Sequence, residues 1–213
     1  MQLPELKNCY QKKKTEIKKR LEDFKKIWEK SDEDIFVELC YCLLTSQSKA
    51  KAVDRVIKNL LGKNILFLGS EKQILKELAS SGVRFHKNKT KYILEAREFF
   101  SNNGKIDIKS KLREESAHDI REWLVKNVKG LGYKEASHFL RNIGIGFDLV
   151  ILDRHIMKNL MKYGVIDEIP ECLSRKCYLS LEEKMKDFSK QVDIPVADLD
   201  LLFWSEETGE IFK

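Results

Sequence analysis

At 213 residues and 25.0 kDa the chain can bury a full core without covalent staples, as one large domain or two small ones. Its five cysteines, Cys9, Cys40, Cys42, Cys172 and Cys177, are odd in number and lack the doubled C-x-x-C spacing of a zinc site or an iron–sulfur loop; they read as reduced thiols, and no metal or cofactor is expected. No apolar run approaches the roughly 18 residues of a membrane span and no basic-apolar-small pattern opens the chain, so a soluble cytoplasmic protein is expected. Lys and Arg number 40 against 34 Asp and Glu, a net charge of +6; this favours a polyanionic partner and is equally compatible with ordinary lysine-rich helix faces.

With 10 Gly, three Pro and apolar residues recurring at three- and four-residue steps, the chain reads as all-α, with sheet at most incidental. A first helix over about 5–29 places Ile17, Leu21, Phe24 and Trp28 on one face and lysines on the other. A second follows Asp32 or Asp34 as N-cap, carries Ile35, Phe36, Leu39, Leu43 and Leu44, and ends near Thr45-Ser46-Gln47-Ser48. Further helices are predicted around 49–61, 71–80, 88–102, 114–127, 134–143 and 154–163. Toward the C-terminus Leu181, Met185, Phe188, Val192, Val196 and Leu199 also demand burial. No flexible linker divides the chain, so 1–213 is expected to work as one unit. Within it, a central block over 30–130 pairs with a second block of 1–29 plus 131–213, the two flanking a cleft.

The chemistry concentrates in Val128-Lys129-Gly130-Leu131-Gly132-Tyr133-Lys134. A helix ends, two glycines make a tight turn, and a new helix begins with unpaired amides pointing outward, a ready seat for a phosphate. An ordinary helix–turn–helix joint with a glycine cap explains the same residues. Nineteen residues after Lys134, Asp153 precedes a further apolar-periodic stretch in Leu152-Asp153-Arg154-His155, where it should act as N-cap with its carboxylate oriented by backbone amides.

Together these segments resemble the helix-hairpin-helix DNA glycosylase superfamily, whose G-h-G-x-K hairpin, with h apolar, is followed by an aspartate at a helix start. The resemblance implies a two-subdomain helical fold flanking a DNA-binding cleft, Lys134 as nucleophile and Asp153 as catalytic acid, with Gly130, Gly132, Arg84 and His155 along the DNA backbone. A nucleophilic amine must be neutral, whereas an unperturbed lysine titrates near 10.4, so a lysine in this role needs surroundings that disfavour its cation. A helix N-terminus and desolvation by an entering nucleotide both do so.

Thr45-Ser46-Gln47-Ser48 resembles the superfamily's L-S-x-Q loop, which implies that Gln47 fills the gap left by a flipped nucleotide. Arg84-Phe85-His86-Lys87-Asn88-Lys89 resembles the family's basic join, with Phe85 against the orphaned partner base. Val83-Arg84-Phe85, the missing cysteine cluster, and an ending with Trp204 and a final Lys213 are most similar to the archaeal-type 8-oxoguanine DNA glycosylase/lyases. That resemblance implies Lys213 near the lesion base; because 8-oxoguanine differs from guanine by an N7 proton and an O8 oxygen, the C-terminal carboxylate is expected to help Lys213 tell them apart, with Trp204 packed behind. It also implies a partner of double-stranded DNA containing 8-oxoguanine or abasic sites, engaged by a monomer associated with the nucleoid through that DNA. Two alternatives stand beside it: an oxidised-pyrimidine glycosylase/lyase of the same superfamily, and a non-catalytic helix-hairpin-helix module that only holds DNA.

Overall fold

The computed structural model describes residues 2–112 and 116–212, and the regular structure among them is helical apart from one short hairpin. Contacts gather the chain into two compact units, Met1–Trp28 with Leu140–Lys213, and Glu29–Phe139. The division falls inside α8 (Tyr133–Asn142), not at residue 131, because α8 continues unbroken past the hairpin.

In the first unit, α1 (Gln2–Trp28) is amphipathic as its periodicity requires: Leu6, Tyr10, Ile17, Leu21 and Phe24 are buried and its lysines face outward. It lies on α11 (Val196–Thr208), an almost wholly buried helix. Polar clasps fix that contact. Tyr10 Oη donates to Asp198 Oδ2 at 2.7 Å, Lys18 Nζ donates to Asp198 Oδ1 at 2.9 Å, and Lys13 Nζ donates to Ser205 Oγ at 2.9 Å. α9 (Arg154–Lys162) and α10 (Arg175–Val192) pack on α11, and the Tyr163 ring stacks on Phe188 and Phe203 with centroids 5.9 and 5.5 Å away. Gly144, at φ 83, lets the chain cross α1 closely; a Cβ there would stand 2.5 Å from Lys25 Cα.

The second unit is built on α2 (Asp32–Thr45), buried nearly all round and covered by α3 (Ala50–Gly62) and α6 (His86–Phe99). The short α4 (Ile65–Leu68) and α5 (Glu71–Ser80) complete that layer. After α6 a two-residue hairpin pairs β1 (Ser101–Asn102) with β2 (Lys105–Ile106), and α7 (Ala117–Asn127) leads into α8.

Several expectations are corrected. Ser31, not Asp32 or Asp34, caps α2: its Oγ accepts from Asp34 N at 3.2 Å, and Asp32 is the first helical residue. The helix predicted over 88–102 starts at His86 and stops at Phe99, because the Asn103-Gly104 pair takes left-handed backbone and turns the hairpin. The helix predicted from 114 is described from Ala117; residues 113–115 lie outside the described residues. α4 is an addition that a four-residue helix leaves too little periodicity to announce. None of the five cysteines is in a disulfide, and Cys40 and Cys42 are buried.

Candidate active site

α7 ends by handing Val128 N to Leu124 O, Leu131 N closes the turn on Val128 O at 3.2 Å, and α8 starts as Ala136 N reaches Gly132 O at 2.9 Å. Gly130 is needed twice over. Its φ is 91, and a Cβ would stand 2.4 Å from the Tyr92 ring, which packs directly against the hairpin. The hairpin is tied back to α7 by Arg121. This residue is buried, donates to Ser137 Oγ at 3.2 Å, and lies 5.4 Å from the Tyr133 ring centre. Tyr133 Oη in turn donates to Glu122 Oε2 at 2.6 Å.

Lys134, the second residue of α8, is thereby carried on a fixed support. Its side chain is 23% exposed and pairs with Glu135 Oε1 at 2.9 Å. A nearly enclosed amine held by a nearly enclosed carboxylate is uncommon on a helix surface, because exposed pairs gain too little to order both chains. Sequence carries no signal for Glu135, whose adjacency to Lys134 looks like a routine solvated pair.

The unit Glu29–Phe139 also brings together two turns far apart in sequence. Gln47, at φ 52, and Phe85, at φ 56, both take left-handed backbone and both are exposed. Ser48 Oγ joins them by accepting from Arg84 N at 3.0 Å, and the Arg84 guanidinium lies 5.6 Å from the Phe85 ring centre. Between the turns lies Lys89, buried, whose Nζ donates to Leu44 O, Ser46 O and Ser48 Oγ at 2.7, 2.6 and 2.9 Å. Burial above all, with the Lys134 charge adding to it, lowers Lys89 to about 8.

In the other unit, Asp153 caps α9 as expected. Its Oδ1 accepts from His155 N at 2.8 Å and Ile156 N at 2.9 Å, which leaves Oδ2 available. The preceding segment Leu149–Leu152 is buried, and α10 pins it: Glu182 Oε1 accepts from Val150 N at 2.9 Å, and Tyr178 Oη donates to Val150 O at 2.7 Å. Burial lifts the Asp200 carboxyl to about 6, with Arg141 opposing and the Asp153 charge adding to the rise. Arg141 Nη1 meets Asp200 Oδ2 at 3.4 Å. Neither Asp200 nor the Tyr178–Glu182 anchors carry a sequence signal, since each sits at an apolar-periodic position on its helix.

Close to Asp153 in sequence, His155 sets its ring edge-on to Trp204, with centroids 6.4 Å apart, and its Nε2 accepts from Arg154 Nε at 3.3 Å. Trp204 stacks on Phe212, and Arg20 Nε donates to Phe212 O at 2.6 Å, so the segment after α11 is docked rather than loose. Lys213 lies outside the described residues.

A helical scaffold that presents a glycine hairpin, a nearly enclosed lysine behind it and a capping aspartate on a later helix has the parts of a hairpin-type DNA-processing protein. The sequence model of the Ogg-HhH family, described as 8-oxoguanine DNA glycosylase, matches residues 17–194. An 8-oxoguanine DNA glycosylase/AP lyase of Fusobacterium nucleatum is 44% identical over 211 residues, covering 98% of this chain and 96% of the relative. One from Methanocaldococcus jannaschii is 41% identical over 212 residues, covering 98% and 99%. The crystal structure of a M. jannaschii 8-oxoguanine glycosylase/lyase in complex with a 15mer DNA containing 8-oxoguanine superposes with a TM-score of 0.90 at 36% identity, covering 100% of both chains. That of the Thermotoga maritima 8-oxoguanine DNA glycosylase gives 0.87 at 33%, covering 99% and 98%. The chain belongs to the 8-oxoguanine DNA glycosylase family of the helix-hairpin-helix type.

Proposed function

We propose that this protein excises 8-oxoguanine from double-stranded DNA and then cuts the strand at the resulting abasic site, with Lys134 as nucleophile. The observation that carries the reading is the placement of Lys134, two residues past the Gly-Leu-Gly turn, nearly enclosed and held by Glu135. The amides of Gly130 and Gly132 face the strand backbone, which positions the duplex without reading its sequence. Arg84 and His155 add positive or polar contact to the same backbone. The lesion nucleotide leaves the stack, Gln47 occupies the gap, and Phe85 rests on the partner base.

As an entering sugar separates the pair, Glu135 takes one proton from the Lys134 ammonium, and the amine so formed attacks C1′ as the bond to the base breaks. The base leaves with the electron pair of that bond and takes up a proton. Asp153, whose Oδ2 is not used in capping, offsets the positive charge growing on the sugar and accepts the proton that the attacking nitrogen loses. Collapse to a Schiff base opens the sugar. Loss of a C2′ proton then expels the 3′ phosphate and cuts the strand. Trp204, stacked on Phe212 and steadied through Arg20, forms the wall against which the lesion base is recognised. No helix among the described residues is long and apolar enough to cross a membrane.

The test compares wild type and Lys134→Gln on matched duplexes carrying 8-oxoguanine, guanine or an oxidised pyrimidine. Wild type should cut the 8-oxoguanine duplex selectively, and the variant should bind it without releasing base or nicking the strand. Turnover by the variant at the wild-type rate would overturn the assignment.

A further inference from the structure

Lysine is rarely buried, because taking an ammonium out of water is costly unless its hydrogen-bonding capacity is met. Lys89 is 4% exposed, and among the described residues it is in ion-pair contact with no carboxylate. All three of its N–H bonds are nevertheless used, on Leu44 O, Ser46 O and Ser48 Oγ. Those acceptors lie on both sides of Gln47, so the ammonium closes the Gln47 turn like a staple. The same residue holds the second turn from its backbone, where Lys89 N donates to Phe85 O at 3.0 Å. Ser48 Oγ completes the link, since it accepts from both Lys89 Nζ and Arg84 N.

An apolar residue in this place would fill the same space at lower desolvation cost but could not fix three acceptors. What the cation supplies is geometry. Gln47 and Phe85 sit at φ 52 and 56, a conformation that residues with a Cβ avoid, although both are exposed and neither is held there by burial. Such a conformation persists where the surroundings over-determine it. Here the surroundings are one buried ammonium and one hydroxyl shared by two loops.

We propose that Lys89 is a positioning residue that locks the Gln47 and Phe85 turns into one rigid two-pronged wedge, set in advance at the spacing that the opened duplex requires. The proposal rests on the reading of Gln47 and Phe85 as the side chains that enter the duplex. Pre-setting them removes the ordering cost that two independent loops would bear when a nucleotide is extruded. Lys89 touches neither the sugar nor the base, so its contribution falls on extrusion and not on bond breaking.

The test uses the full chain, single-turnover conditions and a duplex carrying 2-aminopurine beside the 8-oxoguanine, whose fluorescence rises as the stack opens. Ser48→Ala removes the shared hydroxyl without changing charge, and Lys89→Met removes the three donors. In Ser48→Ala, extrusion and excision should slow by about tenfold, the scale expected when positioning groups are loosened. Cleavage of a preformed abasic site in single-stranded DNA, which has no stack to open, should stay within about twofold of wild type. Lys89→Met should show the same split with a larger loss; if it fails to fold, Ser48→Ala decides alone. Wild-type extrusion in Ser48→Ala, or a parallel fall in all activities, overturns the clamp. Gln47→Ala and Phe85→Ala separate the two levels of the argument. If both excise at the wild-type rate the wedge reading itself is wrong, whereas if both are slow while Ser48→Ala and Lys89→Met are not, only the clamp is.

Discussion

Replacing Gly130 by alanine perturbs the hairpin in two separable ways. The backbone there sits at φ 91, and forcing a residue with a Cβ into left-handed space costs about 1–2 kcal/mol. The new methyl would also stand 2.4 Å from Cδ2 of Tyr92, well inside contact distance, and overpacking of this kind typically costs about 1–3 kcal/mol. The sum is about 2–5 kcal/mol, which for a chain of this length lowers the melting temperature by roughly 10 °C. Urea denaturation of four proteins resolves the parts: wild type, Gly130→Ala, Tyr92→Ala and the double variant. With the ring gone, the same glycine replacement should cost only the backbone share, about 1–2 kcal/mol, and the difference between the two backgrounds is the steric coupling. Gly132→Ala is the contrast, because its Cβ would meet only Glu135 Oε2, at 3.2 Å, with no left-handed backbone to hold. A Gly130→Ala cost below about 0.5 kcal/mol, or an equal cost on both backgrounds, would refute the reasoning.

The other expectations are shorter. Asp153→Asn keeps a capping side chain and should unfold close to wild type, yet lose about 10²–10⁴ in turnover, whereas Asp153→Ala should lose about 1 kcal/mol of stability as well; equal turnover in wild type and the asparagine variant would contradict the role given to the carboxylate. Lys89 titrates at about 8 when folded, through burial first, then Lys134, against Glu135 and with Arg84, while an unfolded lysine titrates near 10.4. Between those values the unfolded chain holds a proton that the folded one has released, so this residue makes stability rise with pH over that window. Denaturation at pH 8 and about 10 should therefore show an increment in wild type that Lys89→Met lacks. Arg20→Ala, which frees the Phe212 carbonyl and loosens the stack on Trp204, should reduce discrimination between 8-oxoguanine and guanine more than it reduces cleavage at abasic sites, measured on paired duplexes.

The helices α1, α3 and α5 are legible because their buried positions follow the helical period, and the hairpin is legible because two closely spaced glycines mark a turn, of which Gly130 does work that other residues cannot. Asp153 as a cap followed from a local rule and stands as such in the structure. α10 and α11 showed only as apolar residues in need of burial. In α11 the reason is physical, since a helix buried on nearly all sides, with Asp198 and Asp200 turned inward, has no polar face to mark its period. The cap of α2 is not decided by sequence, because Ser31, Asp32 and Asp34 are all competent caps and only the local φ and ψ select Ser31. Glu135, Lys89, Tyr178 and Glu182 were invisible for a related reason: each gains its role from partners remote from the pattern it sits in, and burial of a charge or hydroxyl leaves no mark on spacing. Gln47 and Phe85 could be named by resemblance, but not the single ammonium that holds their turns.

The central claim is that a covalent imine forms on one particular amine. Borohydride added during reaction with an 8-oxoguanine duplex, followed by proteolysis and mass spectrometry, should give a stable protein–DNA adduct whose only modified peptide contains Lys134. Trapping should vanish in Lys134→Gln while binding persists. An adduct mapped to another lysine, or none from a protein that still releases the base and nicks the strand, would contradict the account.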